Sequence, residues 1–158
     1  MRIGQSIDIH QLKAGRPLIL GGVVIDHEKG LDGHSDADVL THAIMESILG
    51  ALSLGDLGKH FPDTDPKYKG ADSLQLCAHV YELMVQKGYK IGNVDATVLM
   101  EKPKLAPYIE KMRDNIAKVL QCSIEQISIK ATRGEKMGFV GHEEGAVALA
   151  VCLLEEIK

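Results

Sequence analysis

Asp8 and His10 stand two positions apart in the run Ile7-Asp8-Ile9-His10-Gln11-Leu12. Isoleucine alternates with the two polar groups, which is the period-2 pattern of a strand with one buried face. Side chains two positions apart on a strand project the same way, with Cα atoms roughly 7 Å apart. A carboxylate and an imidazole so placed can bridge a metal ion. They can equally form an ordinary hydrogen-bonded pair at the surface, so the pair alone leaves both readings open.

His42 falls in a helical segment with Asp38 and Glu46 four residues away on either side, along one polar stripe. Two histidines and one carboxylate with an open fourth position are the usual donor set of a catalytic zinc site. The stripe acids could orient the imidazole from behind, although Glu46 reads more simply as a solvated acid. Cys77, Cys122 and Cys152 are far apart and form no C-x-x-C pair, which argues against a disulfide framework or a cysteine zinc knuckle. They read as buried free thiols, so a metal here must use His and carboxylates.

The elements that must position these groups follow from periodicity. After the first strand, residues 16–26 (RPLILGGVVID) form two apolar runs about Gly21-Gly22, a β-hairpin. Residues 27–38 are polar and irregular, a mobile loop. A helix then starts with Ser35 as N-cap and Asp38 three residues on, and runs to about residue 52. Residues 53–70, rich in Gly, Pro and Asp, are a long connection of the kind that carries function. A second helix opens at Asp72 and ends before Gly88, with Leu74, Cys77, Ala78, Tyr81 and Val85 as its buried stripe. Strand 93–100 buries Val94, Ala96, Val98 and Met100. A third helix follows Pro107 with Ile109, Met112, Ile116, Val119 and Leu120 inward. QISIKATR is an alternating strand, and the apolar run GAVALAVCLL is assigned to strand by its valines and preceding glycines. The order implies a single domain over residues 1–158, an α+β two-layer sandwich with a mixed sheet and helices on one face. The other sheet face must then be solvated or covered by another subunit.

The 158 residues are 45% hydrophobic and 25% charged, as in soluble globular proteins. A net charge of −4 and arginine only at positions 2, 16, 113 and 133 give no footprint for nucleic acid. No targeting peptide or long apolar run is evident, so no membrane association and a cytoplasmic location are expected.

The segments DIH, GHSDADVLTHA, LGDLGKHFPDTDP, KGADS, GNVDATV, PKLAPYI, KAT with EKMGF, and EEG occur in this order along essentially the whole chain. In them the sequence resembles the 2-C-methyl-D-erythritol 2,4-cyclodiphosphate synthase family of the non-mevalonate isoprenoid pathway. The resemblance implies a metal-assisted phosphoryl transfer within one substrate, 4-diphosphocytidyl-2-C-methyl-D-erythritol 2-phosphate, with release of CMP. It implies zinc on Asp8, His10 and His42, and a magnesium or manganese ion met through Glu135. His34 and Ser35 would close over the phosphates, with amide donors from the helix start behind them. Asp56, Leu57 and Gly58 would hold the methylerythritol hydroxyls, in a pocket continued by Phe61, Pro62, Asp63, Thr64 and Asp65. Cytidine recognition maps to Met100, Glu101, Lys102, Pro103, Lys104, Leu105 and Ala106, together with Ala131 and Thr132; His34, Arg133 and Glu135 would be the catalytic residues, with Gly134 also in the substrate site. Phe139 and His142 match positions near the phosphates. The family is a homotrimer with its sheets around the threefold axis and its active sites shared between neighbours.

Two positions depart from the family pattern. A second Thr is usual where Arg133 stands, replacing a hydroxyl beside the transition state with a guanidinium. An Arg is usual where His142 stands, which weakens the case for an isoprenoid diphosphate in the central cavity. Besides the synthase, two other readings suit the metal donors: a zinc hydrolase with Glu135 as base, and a zinc-stabilised trimeric binding module silenced by Arg133.

Overall fold

The computed structural model describes all 158 residues. Strand β1 (Arg2–Ala14) is followed by the hairpin of β2 (Leu18–Leu20) and β3 (Val23–Ile25), then by β4 (Lys29–Leu31). Helix α1 (Val39–Ala51) leads through the single turn α2 (Leu57–His60) and a 3-10 turn at Pro66–Tyr68 to helix α3 (Ser73–Gln86). Strand β5 (Tyr89–Leu99), helix α4 (Ile109–Val119), strand β6 (Ile127–Thr132), the turn α5 (Gly138–Gly141) and strand β7 (Gly145–Glu156) complete the chain.

Five strands form a sheet in the order β4-β1-β7-β5-β6. Only the β5–β6 pair is parallel, joined through α4; the other neighbours are antiparallel, so the sheet is mixed as expected. The core lies between one face of this sheet and the helices. Val94, Ala96, Val98 and Met100 point into it from β5 and its end, matching the alternation in the sequence. Helix α1 lies on β1 and β7 and is enclosed so fully that only His42, Glu46 and Gly50 escape burial. These three recur every fourth residue, a single open line on an otherwise apolar helix. The helix comes so close to β1 that a Cβ at Gly4 would sit 1.8 Å from the Ser47 carbonyl oxygen. No helix is long and apolar enough to cross a membrane.

Four expectations are corrected. Residues 27–38 are not wholly loop: Lys29–Leu31 pair with Ala14–Leu12 as an edge strand, a run too short and glycine-bearing to show a period. Ser35 is not the cap of α1. Asp38 is, accepting from the Thr41 amide, and its carboxylate is fully buried with further bonds from the Gly21 and Gly22 amides and the Thr41 hydroxyl. The buried stripe of α3 is Ser73, Cys77, Val80 and Met84, with Val85 exposed. The face assignment of β1 is also reversed within the chain. Gly4, Ser6 and Leu12 are buried beneath the helices and Asp8 and His10 share that side, whereas Ile3, Ile7 and Ile9 are 70%, 52% and 54% exposed. Leu149 and Val151 of β7 are exposed on the same outer face, where Leu149 pairs with Ile7.

Candidate metal and phosphate site

Strand alternation brings Asp8 and His10 to one side of β1, and the open line of α1 sets His42 against them. Three donor atoms converge there. Asp8 Oδ2 lies 2.9 Å from His10 Nε2 and 3.2 Å from His42 Nδ1, and the two nitrogens are 3.3 Å apart. Ligands about 2.0–2.1 Å from a tetrahedral zinc stand roughly 3.3 Å from one another, so the triangle is close to that size. The His10 proton is also placed suitably. Its Nδ1 is 2.8 Å from the Asp32 carbonyl oxygen, which can only accept, so Nδ1 carries hydrogen and Nε2 offers a lone pair. Burial opposes charge on Asp8, but hydrogen bonds from His10 and His42 outweigh it and hold the carboxyl at about 2. Burial likewise opposes protonation of His10, and the Asp8 carboxylate overrides it, so its pKa is raised. Mutual attraction of this kind, between groups that a cation would hold together, marks a site built around charge.

The triangle forms part of the wall of a cavity of about 420 Å³. Gly33, His34 and Ser35 line one side, held by Arg16, whose guanidinium donates to the carbonyls of Leu31, Gly33 and Ser35. His34 Nε2 donates to the Asp65 carbonyl at 3.0 Å, tying this loop to the long connection. Glu46 is not a solvated acid: it accepts from Ser6 Oγ at 2.6 Å and from the Leu57 amide at 3.1 Å, which fixes α2 over the cavity. Leu57, Gly58, Phe61 and Asp63 line it, with Phe61 edge-on to the Tyr68 ring at 5.4 Å. Asp56 caps α2 by accepting from the Lys59 amide, and Asp65 caps the next turn through Lys67; neither lines the cavity, nor do Pro62 and Thr64.

A second cavity, about 470 Å³, is walled by residues 100–106 with Ala131, Thr132, Arg133 and Glu135. Glu101 accepts from the Gly134 amide at 2.9 Å and the Lys136 amide at 3.3 Å. Those bonds brace a turn in which Glu135 and Lys136 have φ of +53° and +63°, a conformation that is costly without support. Lys104 and Arg133 are exposed and make no hydrogen bond or ion pair within the chain, leaving two free cations at this cavity. The two cavities share no residue, so a single chain does not bring Glu135 to the Asp8–His10–His42 triangle. Phe139 and His142, at α5, line neither cavity.

A sequence model of the YgbB family matches residues 1–155. The chain belongs to the YgbB family. It is 62% identical over 154 residues to the 2-C-methyl-D-erythritol 2,4-cyclodiphosphate synthase of Clostridioides difficile (strain 630), covering 98% of this chain and 96% of that one. Identity to the synthase of the same name from Chloroherpeton thalassium is also 62%, over 157 residues, with 99% and 100% covered. Among solved structures, the Plasmodium falciparum IspF in complex with CDP matches with a TM-score of 0.88 and 36% identity over 99% of this chain and 97% of that one. The bifunctional IspDF of Campylobacter jejuni matches with a TM-score of 0.95 and 39% identity; 99% of this chain is covered, but only 42% of the larger protein.

Within this YgbB chain, most of the residues expected from sequence fall into two groups, at the triangle and at the second cavity, while Asp56, Pro62, Thr64, Asp65, Gly134, Phe139 and His142 line neither. Several neighbours were not anticipated. Ser73 lies 2.8 Å from His42 Nε2 and its hydroxyl donates to Asp36, while Ser35, expected at the phosphates, has its Oγ 3.1 Å from the same nitrogen. Met45, Tyr68 and Leu76 complete the lining. Ser73 was visible only as the last letter of KGADS, with nothing local to relate it to a histidine 31 residues earlier. Asp38, expected to back His42, is turned instead into the core.

Proposed function

We propose that this chain converts 4-diphosphocytidyl-2-C-methyl-D-erythritol 2-phosphate to 2-C-methyl-D-erythritol 2,4-cyclodiphosphate and CMP. The observation that carries the reading is the convergence of Asp8, His10 and His42 at the wall of a cavity, in a chain 62% identical to synthases of that name. In this reaction an oxygen of the 2-phosphate attacks the β-phosphorus of the diphosphate. The bond from that phosphorus to the bridging oxygen breaks, and the bridging oxygen leaves on CMP. The protein's work is to fold the substrate so that two anions meet and to neutralise the charge that gathers.

Asp8, His10 and His42 would hold zinc, and Glu135 would meet magnesium or manganese. The ions supply Lewis-acid charge at the phosphates. His34 and Ser35 are assigned to the phosphates, an assignment supported by the Arg16 and Asp65 contacts that hold their loop beside the triangle. Leu57 and Gly58 are assigned to the methylerythritol hydroxyls, with Asp56 holding their turn by its cap, and Phe61 and Asp63 to the pocket around them. Residues 100–106 with Ala131 and Thr132 take the cytidine, and Lys104 and Arg133 meet the diphosphate with their free charges. Phe139 and His142 are assigned to the outer edge of the phosphate region.

The same reading includes a homotrimer whose neighbours share each active site. Two features support it: the separate cavities, each with half of the required chemistry, and the open face of Ile3, Ile7, Ile9, Leu149 and Val151. A cytoplasmic setting belongs to it as well, supported by three free cysteines. A hydrolase fits less well, because Glu46 is already committed to Ser6 and Leu57 and Glu135 lies in the other cavity. The test is to incubate the pure protein with the cytidylylated substrate, zinc and magnesium, and to follow products by phosphorus NMR. CMP and the cyclic diphosphate in equal amounts are expected. An open-chain hydrolysis product would favour the hydrolase, and no turnover would favour the binding module.

A further inference from the structure

We infer that Ser73 and Asp36 are positioning residues that fix the tautomer and ring orientation of His42, an inference that rests on the metal reading above. The argument is one of proton accounting. Asp36 accepts from three donors: the Ser73 hydroxyl and the Asp38 amide on Oδ1, and the Ser73 amide on Oδ2. A serine hydroxyl has a single proton. Because that proton goes to Asp36, Ser73 Oγ can present only a lone pair to His42 Nε2, 2.8 Å away. Nε2 must then carry hydrogen, so the neutral ring, the form a metal needs, has its lone pair on Nδ1, facing Asp8 Oδ2 and His10 Nε2.

The placement is rigid. Ser73 is fully buried at the first turn of α3, and its backbone amide is held by the same carboxylate that orients its hydroxyl. Asp36 is itself fixed, its amide donating to the Ala71 carbonyl at 3.0 Å. The start of α3 therefore acts on a histidine of α1 that a metal would use from its other side. Ser35 is the competing partner, since its Oγ is 3.1 Å from the same nitrogen. Its hydroxyl proton has no assigned acceptor other than that nitrogen, while its oxygen accepts from the Ala37 amide at 3.3 Å. Ser35 can therefore donate to or accept from His42, whereas Ser73 can only accept.

Hydrogen-bond partners behind a metal-bound histidine commonly contribute about 10–100-fold to metal affinity. Ser73→Ala keeps the amide that Asp36 caps, so the start of α3 is preserved while the acceptor behind His42 is lost. Two readouts are needed: zinc affinity by competition with a chromogenic chelator, and the His42 tautomer in the metal-free protein by long-range nitrogen-15 NMR. In the native protein hydrogen on Nε2 is expected. In Ser73→Ala the Nε2-H form should lose its dominance and zinc affinity should fall about 10–100-fold, while Ser35→Ala should cost less. Unchanged tautomer and affinity in Ser73→Ala, or a larger loss in Ser35→Ala, would overturn the assignment. A native protein that binds no zinc would instead defeat the metal reading beneath it, with the tautomer measurement still deciding what Ser73 does.

Discussion

If the Asp8–His10–His42 triad takes zinc as proposed, metal-free and zinc-loaded protein should respond to pH in opposite senses, because these groups also attract one another. The Asp8 carboxyl is held at about 2 against an ordinary 3.8, so its contribution to stability is present above 3.8 and is lost as pH falls toward 2. The His10 pKa is raised above 6.5, so its contribution is present below 6.5 and is lost as pH rises through the shifted value. In the metal-free protein both act together only between those limits. Zinc needs a neutral imidazole and must displace the His10 proton, so its affinity should climb through the range where the metal-free pair weakens. Melting temperatures across pH, with and without zinc, would show the difference between the two curves widening as pH rises through the raised His10 value. A constant gap would argue against His10 as a ligand. Arg133 poses a second question at this scale. It is unpaired and borders the 470 Å³ cavity, so it is free to meet a phosphoryl oxygen. Arg133→Thr should lower turnover by about tenfold, the worth of one charge-assisted hydrogen bond, with metal content unchanged. Native protein that is inactive until this substitution is made would show the opposite, that Arg133 silences the site.

Elements are where the sequence was most and least informative. Periodicity placed β1, α1, α3, β5, α4 and β6, whereas β7 was assigned to strand by the valines and preceding glycines of GAVALAVCLL, a wholly apolar run with no period of its own. It failed where a short run carries no period, as at Lys29–Leu31, and where two residues compete to cap one helix. Ser35 and Asp38 both suit an N-cap; Asp38 takes it because its carboxylate can also hold the Gly21–Gly22 turn, a long-range contact with no local signature. Spacing and type singled out Asp8, His10 and His42 as candidate donors and the family resemblance joined them into one set, whereas the Arg16 clamp and the Glu101 brace had no such signal, since each joins segments far apart in the chain. Gly4 shows what such packing demands. The clash of its missing Cβ with the Ser47 carbonyl would be relieved only by parting β1 from α1. Gly4→Ala should cost about 3 kcal/mol in denaturant unfolding and weaken zinc binding too, because the parted elements carry the three ligands. A loss of stability with zinc affinity intact would mean that the site tolerates the shift.

For the whole molecule, the main question is what covers the outer sheet face. Light scattering should give three times the chain mass, and Ile7→Glu should reduce it to one chain mass while circular dichroism stays native, because Ile7 is 52% exposed in the isolated fold. Native protein of single-chain mass would refute the shared site. A mixture of His42→Ala and Lys104→Ala chains should recover part of the activity that either lacks alone, since intact halves can meet only across a boundary between subunits. The alternation along β1 also constrains how this protein can change. Asp8 and His10 face α1 while Ile7 and Ile9 face outward, and all four are held by the register of β1 on β7. Shifting that register by one position would turn the isoleucines onto the helix and expose the metal donors where a neighbouring subunit is expected. Insertions and deletions within this strand should therefore be inherited only in pairs, and an engineer wishing to alter assembly without touching chemistry has every second residue available, and no others.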